Sequence, residues 1–207
     1  NHMRTIQHEK RITNARINAR IEQFTANLAQ VVPSWLDEVR AMADAAGVNA
    51  QDLLMANCLP DDFYTPAAGN CTTFVGVGDS ENRLFKIRDE RNRTQMFYTH
   101  DASTAPRYQV GRDIGNIGVA HFLNEHGVAG ANNTGSYTNR VSGAPWLNDC
   151  HVLRYFAENA QTVDDIPGLY QHLIDEGVAG GAGAGRGAIY ICADRHRGLI
   201  LECVEDD

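Results

Sequence analysis

Cys71 stands where a short turn of small residues, ending in Gly69 and Asn70, opens into the apolar, β-branched run Thr72 to Val77. A thiol at such a junction can act as a nucleophile if something takes its proton, because a free thiol is only slightly ionised near neutrality. Once the Asn70–Cys71 bond is cut, the new α-amine sits on the same residue. With an intrinsic pKa of about 7.7–8.0, it can take the thiol proton directly or through one water. No histidine is then needed. The sequence therefore predicts an N-terminal nucleophile made by self-cleavage, with Asn70 and Cys71 as the processing site. A small buried cysteine at a strand start is the alternative.

Other residues of the right chemistry follow. Arg88 and Asp89 end a second strand whose hairpin return brings them back towards Cys71. An arginine there can hold a thiolate or a substrate carboxylate, and an aspartate can hold the α-ammonium. Asn132 and Asn133, after a glycine-rich turn, can supply amide donors to a developing oxyanion. The same residue types also occur in solvated charge clusters and ordinary turns. His121, His126 and His151 are candidates for a conventional Cys–His pair. The neighbours Cys150 and His151 are not, since adjacent residues of a helix point in different directions. The glycines between Gly177 and Gly187 precede a strand instead of following one, which excludes a dinucleotide-binding turn.

The elements that must position these groups are helices, then strands, then helices and strands again. Residues 4 to about 32 carry apolar residues at helical spacing, among them Ile17, Ile21, Phe24 and Leu28. Ser34 is expected to cap a second helix that ends at Gly47, and Asn49 a third that closes near Cys58. Strands are predicted at Thr72 to Val77, Leu84 to Ile87, Met96 to Thr99, Tyr108 to Val110 and Ile117 to Ala120. Asn124 to Gly135 reads as turn. Helices return at Trp146 to Ala160 and, after a Thr162 cap, up to Glu176. Two strands, Ala188 to Ala193 and Leu199 to Val204, close the order. The pattern is α+β, with antiparallel sheets covered by helices.

Composition narrows the function. Of 207 residues, 43% are hydrophobic, enough for one real core, and 18 basic against 26 acidic residues give a net charge of −8. That balance points away from nucleic acid and from anionic membrane surfaces. No apolar run reaches the length of a membrane span. Five cysteines without a C-x-x-C pair argue against a disulfide framework and a structural zinc, and favour a reducing, cytoplasmic location. No spacing calls for a metal or organic cofactor.

GNCTTF around Cys71, KIRDE from Lys86 to Glu90, NEHGVAGANN from Asn124 to Asn133, and the strand pair AIYICADRHRGLILECVE together resemble the linear-amide C–N hydrolases of N-terminal nucleophile (Ntn) fold. The groups they are similar to are the autoproteolytic peptidase C45 family, which contains the acyl-CoA:6-aminopenicillanate acyltransferases, and the choloylglycine hydrolases. The resemblance covers roughly residues 50 to 205. It implies an αββα sandwich whose precursor, a zymogen, cuts itself before Cys71. The resemblance also implies a small-molecule amide or acyl-thioester substrate, whose carbonyl Cys71 would attack to give an acyl-enzyme. The family's arginine and aspartate correspond to Arg88 and Asp89, although its usual R-N-x-D is replaced here by R-D-E-R. Its asparagine corresponds to Asn132 or Asn133. A further asparagine and arginine of the family lie downstream of the last strand, beyond Asp207, so the C-terminal part of the core is expected to be missing here.

The expectation is thus a cysteine Ntn amidohydrolase or acyltransferase, with residues 1–70 as a helical pro-segment or N-terminal helical part and 71–207 as the core. Its cleavage fragments would stay together as a heterodimer, or the chain would self-associate. Two rivals stand beside it: an unprocessed Cys71–His thiol hydrolase, and a binding or assembly module that keeps the fold without the chemistry.

Overall fold

The computed structural model describes residues 13–58, 71–88, 94–101, 103–137, 147–179 and 186–203. Helix α1 (Asn14–Val31) starts at Thr13, whose side chain accepts from the Arg16 amide at 3.3 Å. Its stripe Ile17, Ile21, Phe24 and Leu28 is buried. Pro33 ends the run and opens α2 (Ser34–Ala46), which buries Trp35, Leu36, Val39 and Ala43. Ser34 is the first residue of that helix and not its cap, because Pro33 occupies the cap position and no side chain bonds there. Gly47, at φ 63°, stops it in the left-handed conformation open to glycine. Asn49 starts α3 (Ala50–Cys58) by accepting from Gln51 N at 2.8 Å.

The strands form two antiparallel sheets. β1 (Cys71–Val77) and β2 (Asn82–Arg88) make a hairpin. β3 (Gln95–His100), β4 (Tyr108–Asp113), β5 (His121–Asn124), β6 (Ala129–Tyr137), β7 (Arg186–Ala193) and β8 (Gly198–Cys203) form a six-stranded sheet in sequential order. Between β6 and β7 run α4 (Asp149–Asn159) and α5 (Asp165–Asp175).

Three further expectations change. Ile117 to Ala120 is not a strand: its apolar residues drop beneath α4, where Gly118 lets the helix approach so closely that a Cβ would lie 2.7 Å from Cys150 Cβ. The strand begins at His121. Asn124 to Gly135 is only briefly a turn. Asn124 Oδ1 accepts from His126 N and Val128 N, which closes the turn, and β6 then runs through the centre of the sheet. Its small residues hid it, since strand propensity is carried by bulky β-branched and aromatic side chains. Thr162 is not the cap of α5. Instead Asp165 reaches back and accepts from Gln161 N, Thr162 N and the Thr162 hydroxyl.

One face of the large sheet carries the core. Tyr108, Val110, Phe122 and Tyr190 meet Leu153 and Phe156 of α4, Ile166 and Leu173 of α5, and Phe24, Leu28 and Trp35 of the N-terminal helices. Trp35 Nε1 donates to Glu158 at 2.8 Å, and Phe24 packs 5.1 Å from the His151 ring. A buried charge network joins α2, β4 and α4: Glu38 pairs with Arg112 at 2.9 Å and Arg154 at 2.6 Å, and Arg154 pairs again with Glu158 at 2.7 Å. Burial alone would push the Glu38 carboxyl up, but Arg154 and Arg112 outweigh it and hold it below its usual range. Residues 13–58 are therefore part of the main core, not an appendage to it.

The hairpin covers the opposite face of the large sheet, over β6 and β7. Asn82 at its tip donates to Asp194 O at 2.5 Å, and Val75 lies against Gly198. The layers are thus helices, six-stranded sheet, hairpin. This is an α+β arrangement of antiparallel sheets, but among the described residues no helix covers the outer side of the hairpin, where Phe74, Phe85 and Ile87 are more than half exposed. No helix among the described residues is long and apolar enough to cross a membrane.

Candidate active site

Strand pairing decides what Cys71 meets. Alternate residues of β1 and β2 face the large sheet, and these are Cys71, Thr73 and Val75 on one strand and Leu84, Lys86 and Arg88 on the other. The register sets Cys71 opposite Arg88 and Thr73 opposite Lys86. Cys71 and Lys86 are therefore diagonal neighbours on one face, a separation that a long side chain spans.

Beneath them passes β6. Thr73 Oγ1 donates to Asn133 Oδ1 at 2.7 Å and Lys86 Nζ donates to the same oxygen at 2.6 Å. Lys86 also donates to the Asn132 carbonyl oxygen. Because an ammonium only donates, the amide oxygen of Asn133 must face the hairpin, and its NH2 is turned away from that contact. The Asn132 side chain leaves β6 on the helix face. There its Nδ2 donates to Asp149 Oδ2 at 2.5 Å and to Cys150 Sγ at 3.4 Å.

Arg88 is held by a residue with no local signal in the sequence. Asp113, at the end of β4, accepts from Arg88 Nη1 at 2.9 Å and Nη2 at 3.4 Å, and both side chains are largely buried. This two-point grip fixes the guanidinium plane beside Cys71. Asp89 and Asn70 lie outside the described residues.

The histidines part company. His121 shares the hairpin face: it pairs with Gly111, where a Cβ would run into the imidazole ring, and its ring lies 5.4 Å from that of Phe97. Burial, then the Arg88 and Lys86 cations, hold its pKa below the ordinary value, so it is neutral at physiological pH. His126 sits exposed in the turn between β5 and β6. His151 is fully buried on the other side of the sheet, where its Nδ1 accepts from Asn148 N at 3.3 Å as half of a capping box. Burial, with Arg154, pushes its pKa down to about 3. Of the three, only His121 shares a sheet face with Cys71.

Two members of this cluster were not singled out from the sequence. Lys86 could have been found by parity, since placing Arg88 towards Cys71 turns the residue two before it the same way. Asp113 could not, because only the pairing of distant strands brings the end of β4 within reach of Arg88.

No protein-family model and no curated protein matches this sequence. Among solved structures, penicillin V acylase from Agrobacterium tumefaciens is similar at a TM-score of 0.29 and 12% identity, over 65% of this chain and 41% of that one. The chain thus spans less than half the length of that protein.

Proposed function

We propose that the chain is a cysteine hydrolase of linear amides of the N-terminal nucleophile kind, with Cys71 as the nucleophile. The observation that carries this reading is the register of the hairpin, which gathers Cys71, Lys86 and Arg88 over Asn133 on one buried face. Cleavage before Cys71 would free an α-amine able to accept the thiol proton. The sulfur would then attack the amide carbonyl, the C–N bond would break as the amine takes up a proton, and a thioester would remain. Water would release the acyl group as acid; an acceptor amine would receive it in an acyltransferase. Asn133 Nδ2 is the side-chain donor assigned to the oxyanion, and Arg88, fixed by Asp113, is assigned to a substrate carboxylate or to the thiolate. Asp89 is assigned to the α-ammonium.

The test is the intact mass of the purified chain and of Cys71→Ala, followed by turnover of a panel of N-acyl amides. Fragments meeting at Asn70 and Cys71, and acid release that both vanish in Cys71→Ala, are expected. Amide hydrolysis unchanged by Cys71→Ala would end the proposal.

A second reading rests on His121, the neutral imidazole on the same face. If the chain stays whole yet hydrolyses amides, and His121→Ala abolishes that activity, Cys71 and His121 form an unprocessed pair.

A further inference from the structure

We infer that Lys86 and Thr73 are positioning residues for Asn133. Together they lock its side-chain amide in one of its two flips, oxygen towards the hairpin, and so reserve Nδ2 as a donor. The inference rests on Asn133 being the oxyanion donor of the proposed site, and it names what holds that donor in place.

A primary amide is two-faced. Its oxygen and its NH2 are nearly equal in size, and only hydrogen bonding decides which of them points where. The sheet gives Asn133 no such guide. Its same-face neighbours along β6, Ala131 and Gly135, and its cross-strand partner in β7, Ile189, offer no polar side chain. The hairpin decides instead. Thr73 Oγ1 and Lys86 Nζ, one from each of its strands, converge on Asn133 Oδ1 at 2.7 and 2.6 Å. Lys86 also donates to the carbonyl oxygen of Asn132, so it grips backbone and side chain of β6 at successive residues.

The opposite flip is closed off. It would set Nδ2 against the ammonium, donor against donor; the Thr73 hydroxyl could turn to accept, but Lys86 could not. The grip also bears on the donor's strength. A cation drawing on Oδ1 pulls electron density from the amide nitrogen and makes its N–H bonds better donors. Among the described residues nothing accepts from Nδ2. Asn133 is only half-buried, and the Thr73 that holds it is the next residue after Cys71 on that face of β1. An oxyanion forming there would meet N–H bonds instead of an amide oxygen that repels it.

The experiment has two readouts on the full chain. The first needs no substrate: the Asn133 NH2 signals in a proton–nitrogen correlation spectrum, identified by their loss in Asn133→Ala. In the parent they are expected away from the position of an asparagine in the denatured chain. They should move towards it in Lys86→Met and, by less, in Thr73→Val. Signals that move in neither variant overturn the inference. If Lys86→Met does not melt cooperatively, Thr73→Val and the parent decide: parent signals at the denatured position overturn it equally.

The second readout is hydrolysis of an N-acyl para-nitroanilide. Lys86→Met is expected to lower kcat by about 10²-fold, the cost of a slightly misplaced group, with KM little changed. Lys86→Arg and Thr73→Ser, which keep their donors, should each retain more of kcat than Lys86→Met and Thr73→Val. Once Asn133 is alanine there is no donor left to position, so Lys86→Met should cost nothing further in that background. A kcat unchanged in Lys86→Met, or losses that multiply in the double variant, overturn the inference. The two proposals can fail separately. Signals that respond without any amide turnover sink only the hydrolase, and turnover with unmoved signals sinks only the grip.

Discussion

Asn132 and Asn133 are consecutive in β6 and serve opposite sides of the sheet. Asn133 accepts from Thr73 and Lys86 of the hairpin, whereas Asn132 donates to Asp149 at the start of α4. Strand alternation alone separates them. The relationship predicts that their alanine variants fail in different ways. Asn133→Ala removes the proposed oxyanion donor, and kcat for a linear amide should fall on the order of 10²–10³-fold. Asn132→Ala takes from the buried Asp149 its side-chain donor and leaves it the Cys150 amide. It should lower stability by about 1–3 kcal/mol, read from the denaturant midpoint, while leaving Cys71 alkylation intact.

Asp113→Ala should release Arg88. Both side chains are at most 16% exposed, so the arginine loses a buried anion. A loss of about 3 kcal/mol is expected in chemical denaturation, the low end for breaking a buried pair. Asp113→Glu, which restores the carboxylate at a different reach, should recover stability better than it recovers turnover.

How far the sequence revealed the site can be read from these same residues. Cys71 and Arg88 were legible together because a hairpin is a local structure: two β-branched runs and a turn between them fix who faces whom. The exposed and buried sides of α1 were legible for the same reason. Asp113 was not, since it reaches Arg88 only through long-range sheet order. β6 was hidden because Gly130, Ala131, Asn132 and Asn133 are chosen to fit between two crowded layers and lack the side chains by which strands announce themselves. His121, taken as one histidine among three, acquires its place on the Cys71 face from pairing with Gly111, where the ring fills the space a side chain would need.

Glu38→Ala should be among the most damaging single changes. It strips an anion from Arg112 and Arg154, whose side chains are 7% and 3% exposed, and unties α2 from β4 and α4. A loss of about 3–5 kcal/mol is expected. The denaturant midpoint measures it, and a change within about 0.5 kcal/mol would show that the network is dispensable.

Stability should fall as the pH drops from about 6.5 towards 3. His151 stays neutral in the fold down to about 3, whereas an ordinary histidine takes up a proton near 6.5. Its contribution is complete above the higher value. Below it the unfolded chain binds one proton more than the native chain, with a slope of about 1.4 kcal/mol per pH unit for that one proton until the lower value is reached. Denaturant titrations at pH 7, 5.5 and 4.5 give the slope. His151→Gln, whose amide oxygen can still accept from Asn148 N, should flatten it.

If the chain is cut before Cys71, residues 13–58 should remain attached. Phe24, Leu28 and Trp35 are at most 1% exposed and share one core with α4. Native mass spectrometry should show both fragments in one particle. Phe24→Ala, at about 3–5 kcal/mol, should promote their separation in mild denaturant.

The hairpin is fastened at both ends, at the tip by Asn82 to Asp194 and at the base by Arg88 to Asp113, with Thr73 and Lys86 pinned to Asn133 between. Every one of those anchors comes after Cys71 in the chain. Among the described residues these attachments do not depend on the bond that precedes the sulfur, and severing it would release one end of a strand whose named anchors already stand. Such a nucleophile can be unmasked without being moved.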